Sequence, residues 1–404
     1  MKKKWKTLLS LALAMAMVLS LAACGSSSDS SDEEEEEEEE TEETEEASEE
    51  EESEDEAEEE EEAEEEEAEE EEDSEDSSSS SSESVTLVMS TSKNETETAG
   101  AVMAYFCDYV EEASGGSITF NRNFGGTLAS SSEELEMVQA GSIDVVALSH
   151  STFADYLPLL QFPNFASEDN EAGLEYMEYM LQDSGEAAEL LAAEAEDNGI
   201  IMLDLIAGGS TVLVSTFEFD ELSDTFSKKF GTGVNASAYE SMGFSVVSME
   251  VSDGYESLSR GVVDLATMSF APTVEMGWYE AAPYYYYAGT HSAGNPITFN
   301  LDTYNSLSEE QQEILQEAAA AAAEYSLELV NESEEEYVSV VEEAGGFVKE
   351  MSEEDTEFYF TNYYLAIAED AYARAEELGI TDDMETVLQA SADYLGVDIS
   401  SVFE

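Results

Sequence analysis

From Ser84 onward the sequence predicts an α/β fold of two similar lobes with a ligand cleft between them, and three observations carry that reading. Short apolar runs alternate with amphipathic stretches, as in "VTLVMS", "TAGAVMAYFCDYVEEASGG", "SITFNRNFGG", "SSEELEMVQAG" and "SIDVVALSH". Apolar runs of this length between helical stretches predict largely parallel strands covered by helices. The second observation is an internal echo: "VQAGSIDVVALS" (Val138 to Ser149) aligns without gaps on "LSRGVVDLATMS" (Leu258 to Ser269). The offset of 120 residues pairs Gly141 with Gly261, Ile143 with Val263, Asp144 with Asp264 and Ser149 with Ser269. Each copy reads as a helix closed by glycine, a turn carrying an aspartate, and a buried strand that leads into a loop. Third, "SLSEEQQEILQEAAAAAAEYSLELVNESEEEYVSVVEEAGG" reads as one helix of roughly 36 residues closed by Gly345 and Gly346, with an alanine run of the strongest helix former. At about 1.5 Å per residue it reaches some 50 Å, enough to run along both lobes.

Taken in order, the chain opens on "MKKKWKTLLSLALAMAMVLSLAAC", where a basic start (Lys2, Lys3, Lys4, Lys6), an apolar run and small residues read as an export signal over residues 1–23. Leu21-Ala22-Ala23-Cys24 resembles the lipobox of bacterial lipoproteins, which implies cleavage before Cys24 and lipidation of its thiol; an uncleaved membrane anchor is the alternative. Either form places the protein outside the cytoplasmic membrane. Residues 24–83 are almost wholly Glu, Asp and Ser, lack the apolar surface for a core, and read as a disordered tether. Their glutamate run lacks the Asp/Asn/Gly pattern of a calcium loop, so no metal site is expected. Residues 84–208 form the first predicted lobe, 209–299 the second, and 300–404 the long helix with further helices that complete both. Ser131 with Glu134, Asp253 with Glu256 and Ser308 with Gln311 are spaced as capping boxes. Cys107, the other cysteine, lies in an apolar helical pattern and reads as a buried hydrophobe. In open α/β sheets ligands lie beyond the carboxyl ends of the strands, so the loops after Ser149 and Ser269 are expected to face each other across the cleft.

The formal net charge is −88, and Ser84 to Glu404 alone holds 61 acidic against 7 basic residues. Such a surface repels nucleic-acid phosphates and anionic lipid headgroups, which excludes DNA or RNA as a partner. No P-loop, G-x-S-x-G or H-E-x-x-H occurs, and neither His150 nor His291 has a partner at ligand spacing, so no enzyme and no cofactor are expected.

"ITFNRNFGGTLASSSEELEMVQAGSIDVVALSHSTFADYLPLLQFPNFA" (Ile118 to Ala166) resembles the signature region of solute-binding proteins of tripartite ATP-independent periplasmic (TRAP) transporters, the dicarboxylate-binding DctP-type family. "YESMGFSVVSMEVSDGYESLSRGVVDLATMSF" and "HSAGNPITFNLDTYNSLSEEQQEILQEAA" follow in matching order. The resemblance implies a periplasmic-binding-protein-like receptor that passes a small, carboxylate-bearing solute to membrane permease subunits. A receptor for an ATP-driven importer, or an acidic surface-anchored protein with a degenerate cleft, are the alternatives.

The resemblance also implies an arginine clamp on the substrate carboxylate, in a K-x-R-x-P-like strand of the second lobe. Here "DTFSKKFGTG" puts Gly231 at that arginine's place. Alternate residues of a strand share a face, so Lys229 points the same way as Gly231 and is the candidate replacement. Lys93, with Asn94 in the loop after the first strand, and Arg122 are the first-lobe candidates. Ser149 and His150 end the first-lobe strand; Met268, Phe270 and Trp278 are candidate apolar walls, Met268 standing near a family asparagine. The expected ligand is therefore a carboxylate held by Lys229 or Lys93, or a less charged solute. The run Tyr284 to Tyr287 is expected to alternate faces in packing.

Overall fold

The computed structural model describes residues 84–403 except 293, so the expected export signal, Cys24 and the whole of the tether lie outside the described residues. Strands β1 (Val85–Ser90), β2 (Ile118–Asn123), β3 (Val145–Ala147), β4 (Phe165–Ala166) and β5 (Ile200–Ile206) alternate with helices α1 (Thr98–Ala113), α2 (Glu134–Gln139), α3 (Asn170–Glu178) and α4 (Glu186–Asp197). There follow β6 (Gly209–Ser215), β7 (Lys229–Thr232), α5 (Ala236–Ser241), β8 (Ser245–Ser248), α6 (Gly254–Ser259), β9 (Leu265–Ser269), α7 (Phe270–Glu275), β10 (Tyr284–Ser292) and β11 (Asn295–Asn300). The chain then forms α8 (Leu301–Ser306), α9 (Glu309–Glu343), β12 (Phe347–Glu350), α10 (Glu353–Leu378) and α11 (Thr381–Leu395).

Two sheets result, in the orders β2-β1-β3-β11-β5 and β8-β7-β9-β6-β10-β12, with β4 added to β10. The first five strands of each follow one plan: a parallel trio, then an antiparallel neighbour. The sheets are thus mixed where largely parallel strands were expected, because each lobe's fourth strand enters from the other lobe. β6 arrives from the first sheet and β11 returns from the second, so 295–299, inside the span expected for the second lobe, hydrogen-bonds in the first sheet. The sequence echo has the same physical role in both lobes. The Asp144 carboxylate accepts from the Val88 backbone N–H at 2.7 Å, and Asp264 accepts from Lys229 N–H at 2.9 Å. Each aspartate thereby locks the strand after the turn to its parallel neighbour, and Gly141 and Gly261 close the helices at φ +65° and +67°, where a Cβ is disfavoured.

Alternation splits each sheet between two cores. In β3, Val145 and Ala147 face α1 and α9 while Val146 faces the cluster that includes α4, α10 and α11. In β6, Val212 and Val214 face Trp278 and Val341, and Leu213 faces Phe230 and Tyr286. Tyr285 and Tyr286 likewise pack on opposite faces, as expected from the tyrosine run. Cys107 is fully buried in the first core, and burial pushes its thiol well up.

α9 is 35 residues long and opens on a complete Ser308–Gln311 capping box, close to the predicted span. Leu315, Ala318, Ala319 and Ala322 recur at helical spacing in the first lobe's core, and Val341 ends in the second's, so one helix packs along both. The other two predicted boxes do not form. Ser130, not Ser131, bonds to Glu133, and α2 starts at Glu134; Asp253 makes no side-chain cap.

Candidate functional site

The chain crosses between the sheets twice, and the crossings touch. Between β5 and β6 lie Ala207 and Gly208; between β10 and β11 lies Gly294. A Cβ on Gly208 would come within 2.9 Å of the Gly294 Cα, and one on Gly294 would collide with the Ile206 carbonyl oxygen. Gly294 also holds φ +81°. Backbone packs on backbone here, which glycine alone allows.

Above the crossings opens a cleft of about 190 Å³. Its floor is Ile206 to Gly209 with Gly294 and Asn295; the start of α1 (Thr98, Ala99) forms one wall and the start of α7 (Phe270, Ala271) the other. α9 closes it with Val330, Ser333, Glu334 and Tyr337. α9 also grips the floor: Ala207 N–H donates to Ser326 Oγ at 2.8 Å, Ser210 N–H to Glu334 Oε1 at 2.7 Å, and Ser210 Oγ to Glu334 Oε2 at 2.8 Å. His291 Nδ1 lies 3.1 Å from Ser210 Oγ and 3.2 Å from Asn170 Oδ1. The amide oxygen can only accept, which makes Nδ1 the protonated ring nitrogen. Burial pushes the His291 pKa down, opposed by Asp169.

The aromatic walls are ordered. Phe270 meets Tyr337 edge-on with centroids 5.7 Å apart, and Tyr337 donates to Glu275 Oε1 at 3.1 Å. Burial, then Glu275, pushes the Tyr337 pKa up to about 12, so it stays a neutral phenol. Among the described residues no lysine or arginine lines the cleft, and Glu334 is its one acidic side chain.

Of the residues singled out from sequence, the structure places Phe270 in this cleft. Lys93 is exposed in the β1–α1 loop, where its charge acts on the buried Glu134, and Asn94 donates through N and Nδ2 to Glu97 Oε2 at 2.6 and 2.9 Å. Arg122 is bound by Asp108 at 2.6 Å and Glu111 at 2.8 Å, both on α1. Lys229 shares a face with Gly231 as expected, but begins β7, at the end of the sheet away from the cleft. Its ammonium donates to the Gly261 carbonyl that closes α6. At Gly231 a Cβ would sit 3.1 Å from Met249 Sδ and from Val263 Cγ1, so core side chains fill the arginine's expected place.

Of the loops after Ser149 and Ser269, the second contributes Phe270 and Ala271 to this cleft, and Ser149 is not among the described residues that line it. Ser149 accepts from Thr152 Oγ1 at 3.4 Å and leads into the turn His150–Phe153. His150 is buried there with Nε2 2.9 Å from the Asn164 amide, and burial lowers its pKa to about 4. Met268 is partly buried and Trp278 fully buried in the second lobe's core, Trp278 pressed on Gly254, where any Cβ would overlap the indole. Glu334, Tyr337 and the two crossings were missed. In sequence Glu334 is one of many glutamates on a solvated helix, and only its i,i+3 spacing to Tyr337 distinguishes it.

Two lobes of one strand plan, crossed twice beneath a small cleft and clasped by one long helix, define a two-lobed solute-binding protein. The chain belongs to the bacterial extracellular solute-binding protein family 7 (DctP), which matches residues 87–367. It is similar to a solute-binding protein of Sulfitobacter sp. strain NAS-14.1, with 26% identity over 289 residues, 70% of this chain and 84% of that one. It is also similar to the ectoine-binding periplasmic protein TeaA of Halomonas elongata, with 24% identity over 245 residues, 59% of this chain and 70% of that one. Among solved structures, a TRAP periplasmic solute-binding protein of Rhodobacter sphaeroides in its apo open form superposes with TM-score 0.66 at 22% identity, covering 77% of this chain and 98% of that one.

Proposed function

We propose that this protein is a receptor, lipid-anchored through Cys24 outside the cytoplasmic membrane, that captures a small organic solute and presents it to the permease subunits of a TRAP transporter without chemically changing it. One observation carries the reading: within a family 7 chain, both crossings, two helix starts and the long helix converge on one small cleft. A site assembled from both lobes senses their relative position, which is what a receptor needs if its loaded and empty forms are to differ. The first lobe, mainly residues 84–208, the second, mainly 209–299, and the helices of 300–404 move as the parts of this device. The acidic tether of residues 24–83 spaces it from the membrane. Purification of the full chain, mass spectrometry of released solutes and thermal-shift screening of a metabolite library test this. Retention or stabilisation by a small solute supports it; a screen in which no solute binds sinks it. Membrane association that survives Cys24→Ala would refute the lipid anchor alone.

A further inference from the structure

We propose that the cleft selects a solute bearing a cationic nitrogen, held by the Glu334 carboxylate beside the Tyr337 ring, so that zwitterions and cations are taken and simple anions are not. This rests on the receptor reading above and deepens it. Each carboxylate oxygen accepts more than one hydrogen bond, so with Ser210 N–H on one oxygen and Ser210 Oγ on the other, Glu334 keeps acceptor capacity toward the cleft it lines. Those two donors also fix its rotamer, so a ligand meets a preset acceptor. The half-buried Tyr337 ring favours positive charge by its quadrupole, with the fully buried Phe270 packed edge-on against it, and the neutral Tyr337 phenol is turned to Glu275.

The basic residues point the same way. Among the described residues Arg122, Arg260 and Arg374 sit in ion pairs. Lys228 lies over the Phe217 ring, Lys349 over Tyr286 and Phe347, and Lys229 on the Gly261 carbonyl. Lys93 sits outside the cleft lining beside buried Glu134. An anionic ligand would enter a cleft lined by the Glu334 carboxylate, with no guanidinium or ammonium among the described lining residues to offset the loss of hydration.

Isothermal titration of the full chain with ectoine, glycine betaine, L-arginine and putrescine, beside D-galacturonate, succinate and D-glucose, tests the proposal. At least one nitrogen cation or zwitterion is expected to bind about tenfold or more tighter than every anion and neutral sugar. Glu334→Gln is expected to weaken that ligand about tenfold, Glu334→Asp less, and the charge-matched Glu332→Gln, on the exposed face of α9, not at all. Binding of an anion or sugar in preference to every cation overturns the selectivity while leaving the receptor reading intact. So does a preferred cation that is indifferent to Glu334→Gln. If no member of either group binds and no other solute is retained, both readings fall.

Discussion

Glu134 opens α2 with no exposed surface; its Oε1 accepts from Ser92 N–H at 3.0 Å, while Oε2 has no hydrogen-bond partner among the described residues. Burial raises its pKa from 4.5 to about 7, against the pull of that hydrogen bond and of Lys93. The folded pKa lies above the unfolded one, so the stabilisation is fully present below about 4.5 and is lost as pH rises through about 7. Glu134→Gln keeps an acceptor for Ser92 and removes the buried charge. The variant's stability relative to the native chain should therefore improve from about pH 5 to about pH 8, by on the order of 2 kcal/mol, in thermal melts across that range. Buried Glu194, also raised to about 7, leaves the variant part of the pH dependence, and His150, lowered to about 4, opposes it below neutrality. A stability difference that is flat with pH would refute the assignment. Lys229 shows what one residue's sequence context can and cannot tell. Strand alternation placed it on the face of Gly231, but alternation does not say which end of the strand a residue occupies. Lys229→Met should leave solute affinity unchanged and cost no more than about 1 kcal/mol of stability, checked by titration and urea melts.

α9 was legible because its signals are local: a capping box at Ser308, an alanine run, and a glycine pair after Ala344. Ser131 and Asp253 had the right spacing, yet each precedes a six-residue helix, too short to be stable through its own local signals. The grip of α9 on the first crossing was not legible, since Ser326 is 119 residues from the Ala207 it binds. Ser326→Ala would leave the Ala207 N–H buried and unpaired, costing about 1–3 kcal/mol in urea unfolding with little change in m-value. Gly294→Ala adds a left-handed alanine to a collision with the Ile206 carbonyl oxygen. It should cost more than Ser326→Ala and lower solute affinity as well, because the cleft floor must shift to relieve the overlap. Equal or greater stability for Gly294→Ala would show that the crossings are looser than their packing indicates.

At the scale of the molecule, the two-lobe plan could be read from sequence because Asp144 and Asp264, each three residues after a helix-closing glycine, do one backbone-locking task twice. The exchange of fourth strands could not, because an apolar run such as "PITFN" fits the antiparallel edge of either trio. The cleft was hidden for the same reason: its floor and back come from segments that meet only after the exchange, so Phe270 alone of the predicted residues lies in it. Charge is the remaining whole-molecule property. From Ser84 on, 61 acidic residues face 7 basic ones, and the ion pairs among the described residues are those of three arginines. Screening an exposed pair forfeits at most about 1 kcal/mol, whereas screening relieves repulsion among dozens of surface carboxylates that the unfolded chain spreads apart. The Debye length falls from about 30 Å at 0.01 M to about 10 Å at 0.1 M salt, which cuts the long-range repulsion before it weakens contacts. Stability should therefore rise with sodium chloride, steeply below about 0.1 M and more gently above, with Tm gaining about 5 °C or more by about 0.5 M. Chloride is the suitable anion, since sulfate would strengthen apolar burial by exclusion and confound the effect. The urea midpoint should move the same way at constant m-value. A Tm that falls as salt is added would mean that the few arginine pairs, not the excess of carboxylates, set the electrostatic balance of the fold.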